Sequence, residues 1–369
     1  MALGLFPSIS PKEKTMKHIY KNFLKVGLVA FLGINTATAQ DLHYSQFYNA
    51  PLNMNPGLTG QMREDFRVGG IYRSQWKDIA SPFKTMSFFA DMNIKLEKKP
   101  VDMISFGANF TDDQLGDGIF KNQYFLVSSA VQKYLGYSRR HMVSFGLQLG
   151  YTNQNLNKNG LYFDDQFDDE FLPTLGTGEN FGATRNGYMN LNAGLGWDFF
   201  ANEKLTLNGG LGFHNLTRPK NSLLDGVGET VANKQSVRTV LNVGAVYQLS
   251  DKVSLLPSFL YARQAKASDL NLGTNIGFHL NGYKSRNRTT LYVGGFYRVG
   301  DAAIAKVGMR FRGVQAMFSY DATMSGMKDI NKAPSIKDKT VGAYELSLVY
   351  SGFLNRAIPG RLTVPSRFF

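Results

Sequence analysis

The chain has 369 residues, no Cys, 28 Phe, 18 Tyr, 38 Gly and a formal net charge of +13, with a mean hydropathy of −0.22. The absence of Cys excludes a disulfide framework and cysteine metal sites. The basic residues form no Lys/Arg block and no nucleic-acid reader motif, so the charge favours anionic lipid headgroups or lipopolysaccharide over nucleic acid.

In chain order, residues 1–39 read as a cleavable export signal. Met16 to Lys25 is a basic region, Val26 to Ile34 a short apolar stretch, and Ala37-Thr38-Ala39 an A-x-A site before Gln40. The apolar stretch is far shorter than the ~20 residues of a membrane-spanning helix. Residues 1–15 precede a second plausible start at Met16. No Cys follows the cleavage site, which argues against a lipoprotein. Loss of the leader's five Lys and one Glu takes the charge from +13 to +9.

Residues 40–64 carry Pro51, Asn55-Pro56-Gly57 and Gly60 without a sustained period. This turn chemistry predicts an irregular segment, at the periplasmic mouth of the fold or folded into its lumen.

From residue 65 to 351 the dominant signal is alternation with a period of two. In 188–199, Met189, Leu191, Ala193, Leu195, Trp197 and Phe199 oppose Tyr188, Asn190, Asn192, Gly194, Gly196 and Asp198. The same rule predicts about fourteen strands, near 65–73, 84–95, 102–111, 120–133, 142–153, 187–200, 204–216, 236–249, 253–263, 268–281, 289–299, 302–312, 314–323 and 341–351. The apolar faces persist for about ten residues, the span of a tilted transmembrane strand rather than of a sandwich strand. Aromatics fall at segment ends, as at Tyr151, Phe199–Phe200, Tyr247 and Tyr350, where headgroup girdles sit. The other face is Asn, Gly and Ser, which suits a lumen. The expected fold is therefore an all-β outer-membrane barrel, with a soluble sandwich as the alternative.

Every second connection is short, beginning with Leu96–Val101 and Tyr134–His141. The long ones, 74–83, 112–119, 154–186, 217–235 and 324–340, all fall at the opposite end. An even strand number with this parity predicts both termini in the periplasm and the long loops outside. Residues 352–369 form a basic periplasmic tail.

The residues offer little catalytic chemistry. Asp164, Asp165, Asp168 and Asp169 are a weak calcium candidate, lacking the turn Gly and terminal Glu of an EF-hand loop. The Gly-rich strings 194–196 and 209–212 lack the helix a dinucleotide site requires, and read as small lumen-facing residues. Histidines 18, 43, 141, 214 and 279 show no metal spacing; His214 and His279 are expected to face inward. No G-x-S-x-G is present. No cofactor, metal or enzymatic activity is expected.

Longer strings carry a resemblance. His43-Tyr44-Ser45-Gln46-Phe47-Tyr48-Asn49-Ala50-Pro51, then Asn55-Pro56-Gly57-Leu58-Thr59-Gly60, resemble the opening of the PorP/SprF family of Bacteroidota outer-membrane proteins. So do Tyr72-Arg73-Ser74-Gln75-Trp76, Leu161-Tyr162-Phe163-Asp164-Asp165-Gln166-Phe167 and Gly212-Phe213-His214-Asn215-Leu216-Thr217-Arg218-Pro219. Val364-Pro365-Ser366-Arg367-Phe368 stands where the family has C-P-R-F, so the family's terminal Cys is missing.

The resemblance implies a bacterial outer-membrane component of the type IX secretion and gliding apparatus. Such a protein serves secretion or surface anchoring of a cargo or adhesin with a C-terminal signal domain. Its other implied partners are periplasmic or peptidoglycan-binding lipoproteins. The family motifs make Gln46, Asn55, Pro56, Gln75, Trp76, Gln166, Phe167, Arg218 and Pro219 candidate partner-binding residues. A passive or FadL-like channel for small solutes is the alternative function, and an outer-membrane hydrolase a third.

Overall fold

The computed structural model describes residues 43–76, 82–96, 99–116, 118–157, 167–168, 170–171, 184–220, 234–283, 288–324 and 342–354. Sixteen strands follow one another among them. They are β1 (Phe66–Gln75), β2 (Phe83–Leu96), β3 (Lys99–Leu115), β4 (Phe120–Leu135), β5 (His141–Leu156), β6 (Phe167–Asp168), β7 (Glu170–Phe171) and β8 (Arg185–Phe200). Then come β9 (Leu205–His214), β10 (Arg238–Ser250), β11 (Val253–Gln264), β12 (Ala267–His279), β13 (Thr290–Arg298), β14 (Ala302–Phe311), β15 (Val314–Thr323) and β16 (Gly342–Gly352). Fourteen of them close into one antiparallel barrel, each paired with its chain neighbour. β1 meets β16 from Phe66↔Gly352 to Gln75↔Ala343. The pair β6–β7 lies apart, in the β5–β8 connection.

The fourteen predicted segments correspond one to one with the barrel strands. The main departure is at the end away from the termini, where β3 runs to Leu115 and β5 to Leu156. Beyond Thr111 the sequence loses its apolar alternation, but the backbone ladder continues. Side chains support it there: Lys121 Nζ lies 3.0 Å from Asp112 Oδ1, and Gln123 Nε2 donates to the same carboxylate at 3.0 Å. Polar cross-strand pairs carry a ladder past the point where hydrophobic periodicity stops reporting it.

The wall is inverted relative to a soluble protein. Phe88, Phe125, Val127, Leu149, Met189, Leu195 and Val243 point outward and are exposed. Ser105, Asn109, Ser128, Gln132, Ser144, Gln148 and Asn192 point inward and are buried. The barrel strands run from 9 residues in β13 to 17 in β3, enough for the ~9–11 residues of a tilted transmembrane strand. Closure pairs every strand on both sides, so no edge is left to face hydrocarbon. Apolar outside and polar inside, on a closed barrel, is the pattern of an outer-membrane β-barrel. No helix of the described residues is long and apolar enough to cross a membrane.

This orientation makes a specific prediction. Leu149, 59 % exposed in mid-strand, faces the bilayer centre. Leu149→Arg is expected to destabilise the barrel by about 2–4 kcal/mol. Gln148→Ser, on the lumen side, puts no charge in hydrocarbon and should cost only about 1 kcal/mol, the worth of a lost hydrogen bond. Urea titration of the protein folded into phosphatidylcholine vesicles measures both, and equal losses would contradict the assigned faces.

Candidate functional site

The lumen is occupied by the chain's own N-terminal segment. Residues 43–64 precede β1 and fold as three short turns: a 3₁₀ turn (Phe47–Asn49), α1 (Pro51–Met54) and a second 3₁₀ turn (Pro56–Leu58). Proline opens the last two, because its fixed φ suits the first helical position and its missing N–H is no loss there. Asn55 caps the second 3₁₀ turn, its Oδ1 accepting the Gly57 N–H at 2.8 Å. The irregular stretch read from sequence is thus a succession of three short turns, the last of them capped by Asn55, and of its two expected places it takes the lumen.

At its upstream end the segment meets a cluster of buried charges. Glu345 Oε2 accepts the Ser45 N–H at 2.6 Å, and Oε1 accepts the Gln46 N–H at 2.9 Å. Arg73 Nη1 donates to Glu345 at 2.8 Å and to the Ser45 hydroxyl at 2.8 Å, and Arg298 Nη2 reaches that hydroxyl at 2.8 Å. The Ser45 hydroxyl donates to Asp321, and Lys306 donates to the Ser45 carbonyl. The Lys306 ammonium also sits 3.4 Å from the Phe296 ring centroid and 4.8 Å from that of Tyr48, a cation–π enclosure that offsets part of its desolvation. Burial pushes the Tyr44 and Tyr48 phenols above their ordinary range, so both stay neutral.

The middle of the segment fits a socket of small residues. A Cβ on Gly146 would strike the Pro56 carbonyl, and one on Gly194 the Asn55 amide. A Cβ on Gly212 would lie 2.9 Å from the Met54 carbonyl. The carbonyls the turns leave open are met from the wall. Gln148 donates to Leu52 O at 3.0 Å, Ser144 to Gly57 O at 2.7 Å and Gln132 to Thr59 O at 2.9 Å. His214 Nε2 lies 3.1 Å from Met54 O. Phe47, Tyr48, Met54 and Leu58 form one apolar cluster with Leu256, Leu260, Phe296 and Met317 of the wall. At the downstream end Gly60 N donates to Asp91 at 2.8 Å, and Arg310 pairs with Glu64 at 2.7 Å. A gap beside Tyr48, Asn49, Arg67 and Arg310 has about 20 Å³, room for one water. The segment plugs the barrel.

The structure divides the nine candidate partner residues. Gln46, Asn55 and Pro56 are buried in the plug. Gln46 Nε2 donates to Ser319 at 3.1 Å and Asn55 Nδ2 to Leu195 O at 2.9 Å, so the contacts described for these two side chains lie within the chain. Gln75 ends β1 and is buried; Trp76 follows it at the rim, with φ +60°, and packs on Phe83 at 4.9 Å between centroids. Arg218 and Pro219 follow β9 at the same rim, with Arg218 exposed. Phe167 and Asp168 form β6, while Asp164, Asp165, Gln166 and Asp169 lie outside the described residues. Among the described residues no His, Asp and Glu group could hold a metal ion. His214 and His279 face inward, as expected, the latter with Nδ1 2.9 Å from the Thr290 hydroxyl.

Sequence reading missed Arg73, Arg298, Lys306, Asp321 and Glu345 as a unit. The available signal was a full charge on the inward face of strands that are otherwise small or amide-bearing there.

Two expectations follow from the plug. Glu345→Ala removes one of the two carboxylates paired with buried Arg73 and leaves the Ser45 and Gln46 N–H groups without their acceptor; it should cost about 3–5 kcal/mol, measured by urea unfolding. Purified wild-type protein should be silent in planar bilayers, whereas Gly146→Leu, which fills the socket, should conduct. Heat-modifiable gel mobility confirms that the variant remains a folded barrel. Steady wild-type conductance would remove the plug from the account.

The sequence matches the family described as type IX secretion system membrane protein PorP/SprF over residues 36–350. No curated protein matches it significantly. Among solved structures the fold is similar to the Ralstonia pickettii toluene transporter TbuX, with TM-score 0.49 and 11 % identity over 83 % of this chain and 94 % of that one. It is also similar to a Pseudomonas aeruginosa FadL homologue, with TM-score 0.43 and 10 % identity over 78 % and 90 % of the two chains. The CymD monoaromatic hydrocarbon channel gives TM-score 0.46 and 10 % identity over 83 % and 93 %. The match over most of the sequence, on a closed barrel with an apolar outer wall, shows that the chain belongs to the PorP/SprF family of type IX secretion system membrane proteins, barrels of the bacterial outer membrane.

Proposed function

We propose that this barrel works by holding proteins rather than by passing solutes. It serves secretion or surface anchoring of a cargo or adhesin with a C-terminal signal domain, and meets periplasmic or peptidoglycan-binding lipoproteins of the type IX apparatus at its other end. The observation that carries this reading is the plug. Residues 43–64 fill the lumen through buried hydrogen bonds and ion pairs, which leaves the rims and loops as the surfaces able to do work.

In this reading residues 1–39 are removed on export, the barrel spans 65–351, and the tail 352–369 and both ends of the chain lie in the periplasm. The long connections, including the acidic run at 164–170 and the Arg218-Pro219 turn, then face outward to cargo. Gln75 and Trp76 at the same rim are the wall's contribution to that face. The role involves no catalysis. A passive or FadL-like channel would need a continuous path, and the filled lumen weighs against it.

Deletion of the gene should abolish surface display of at least one cargo with a C-terminal signal domain, while Trp76→Ala with Arg218→Ala should reduce display without loss of folded barrel. Protease shaving of intact cells followed by mass spectrometry measures display. Full display of every such cargo in the deletion strain would sink the proposal.

A further inference from the structure

The outward face of the barrel is dented around β1. A concavity of about 860 Å³ opens there over β16, β1, β2, β3 and β4. The strand register shows how two outward rows build it. The upper row, toward the end of the long connections, is Leu348–Gly70–Phe88–Phe110–Phe125, and the lower row is Tyr350–Val68–Ala90–Ala108–Val127. Ala90 and Ala108 form the floor, and Phe88, Phe110 and Phe125 stand above it. Met92 and Phe106 follow one row below. Phe110 and Phe125 pack at 4.8 Å between centroids, so the upper lip is an aromatic ridge. Gly70 breaks that ridge between Leu348 and Phe88, and a glycine inside a strand leaves room for close approach. The notch leads up to Tyr72, whose ring lies 6.2 Å from that of Tyr344.

This wall faces hydrocarbon, so its occupant comes from the bilayer or from another chain within it. Width decides between them. On β2, Phe88 and Met92 are four residues apart, about 13 Å at the rise of a strand, and their side chains narrow the gap. An α-helix measures about 10–12 Å across and cannot reach Ala90, and the wall of a second barrel is flatter still. A single acyl chain reaches it. Along the row, five strands span about 19 Å at the usual spacing, more than the ~15 Å that one leaflet allots to a chain. The row is straight, which suits a saturated chain and not one bent by a cis double bond. Above Tyr72, Ser74 pairs in register with exposed Lys84. Asp112, on the adjacent strand, is already held by Lys121, Gln114 and Gln123. Apolar floor, phenol and cation thus follow the order of acyl chain, interface and headgroup.

We infer that this trough is a binding site for one saturated acyl chain of lipopolysaccharide. The chain enters through the Gly70 notch and lies over Ala90 and Ala108 against the Phe88–Phe110–Phe125 ridge. Tyr72 meets its ester-bearing upper part and Lys84 a phosphate. Lipopolysaccharide combines straight saturated chains with phosphates, and it fills the outer leaflet. The choice of that lipid rests on the proposed orientation, with the long connections outside; the fit of a straight chain to the trough does not.

The test adds synthetic lipid A, dipalmitoyl phosphatidylethanolamine or dioleoyl phosphatidylethanolamine to the purified full-length protein in mild detergent. Native mass spectrometry counts retained lipid. Lipid A should bind at least about fivefold tighter than the dipalmitoyl lipid, the effect of one cation beside an anionic headgroup, and the dipalmitoyl lipid tighter than the dioleoyl. Ala90→Phe with Ala108→Phe, which fills the floor, should abolish both differences. Gly70→Leu should weaken lipid A binding several-fold, and Lys84→Gln should remove only the advantage of lipid A. Gly295→Leu, on the outward face of β13 with nothing within 4 Å of an added Cβ, should leave binding unchanged. Heat-modifiable mobility checks that each variant is folded. Equal binding of the three lipids, or a floor-filled variant that keeps the differences, overturns the site. So does a dimer that the floor-filled variant disperses while lipid binding is unchanged. A dipalmitoyl lipid bound as tightly as lipid A overturns lipopolysaccharide as the source. Orientation is read separately, by maleimide labelling of Ser138→Cys on intact cells. Labelling there would place this leaflet inside and overturn the same choice, whatever binds in detergent.

Discussion

Hydrocarbon offers no hydrogen bonds, so a sheet that crosses it must pair every backbone group with a neighbouring strand and turn its polar side chains inward. In this protein that requirement concentrates amides, hydroxyls and full charges on the inner wall, among them Arg73, Arg298, Lys306, Asp321 and Glu345. Such a lining is stable only if water or protein meets it. Residues 43–64 supply the protein. Their turns expose backbone carbonyls and N–H groups, and the wall's Gln132, Ser144, Gln148 and Glu345 answer them.

The plug and the wall are therefore one folding unit. Five buried charges on five strands converge on Ser45 or its neighbour Gln46, and removing any one weakens the compensation of the others in a poorly solvated interior. The glycines at 146, 194 and 212 give shape to the same contact, since each leaves space for one stretch of plug backbone. A barrel filled in this way has its free chemistry at the two rims. In the proposed reading, that is where the secretion role finds surface to use.

The wall was legible in the sequence because alternation is forced by a phase boundary, and the phase boundary acts on every strand separately. Strand number, parity and the inward direction of His214 and His279 all followed from it. The ladder past Thr111 was not legible, since Asp112 and Lys121 hold it by a cross-strand ion pair that leaves no hydropathy trace. The plug was half legible. Pro51 and Asn55-Pro56-Gly57 announced turns, but their place in the lumen depends on hydrogen bonds to residues about 90 to 300 positions away. The charge cluster was hidden for the same reason: Arg73 and Glu345 are 272 residues apart in sequence and 2.8 Å apart in space. Gln46 and Asn55 stood out as motif residues, and only burial shows what they touch.

Because the chain has no Cys, a single introduced thiol reports the state of the lumen directly. Thr59 is fully buried in the plug and Ser138 is exposed in the β4–β5 turn. With Thr59→Cys and Ser138→Cys made separately, outer-membrane vesicles opened to both faces are treated with a membrane-impermeant maleimide. A plugged barrel predicts rapid labelling at position 138 and none at position 59 until the protein is denatured. Labelling of position 59 in the folded protein as fast as position 138 would show an open lumen and contradict the account.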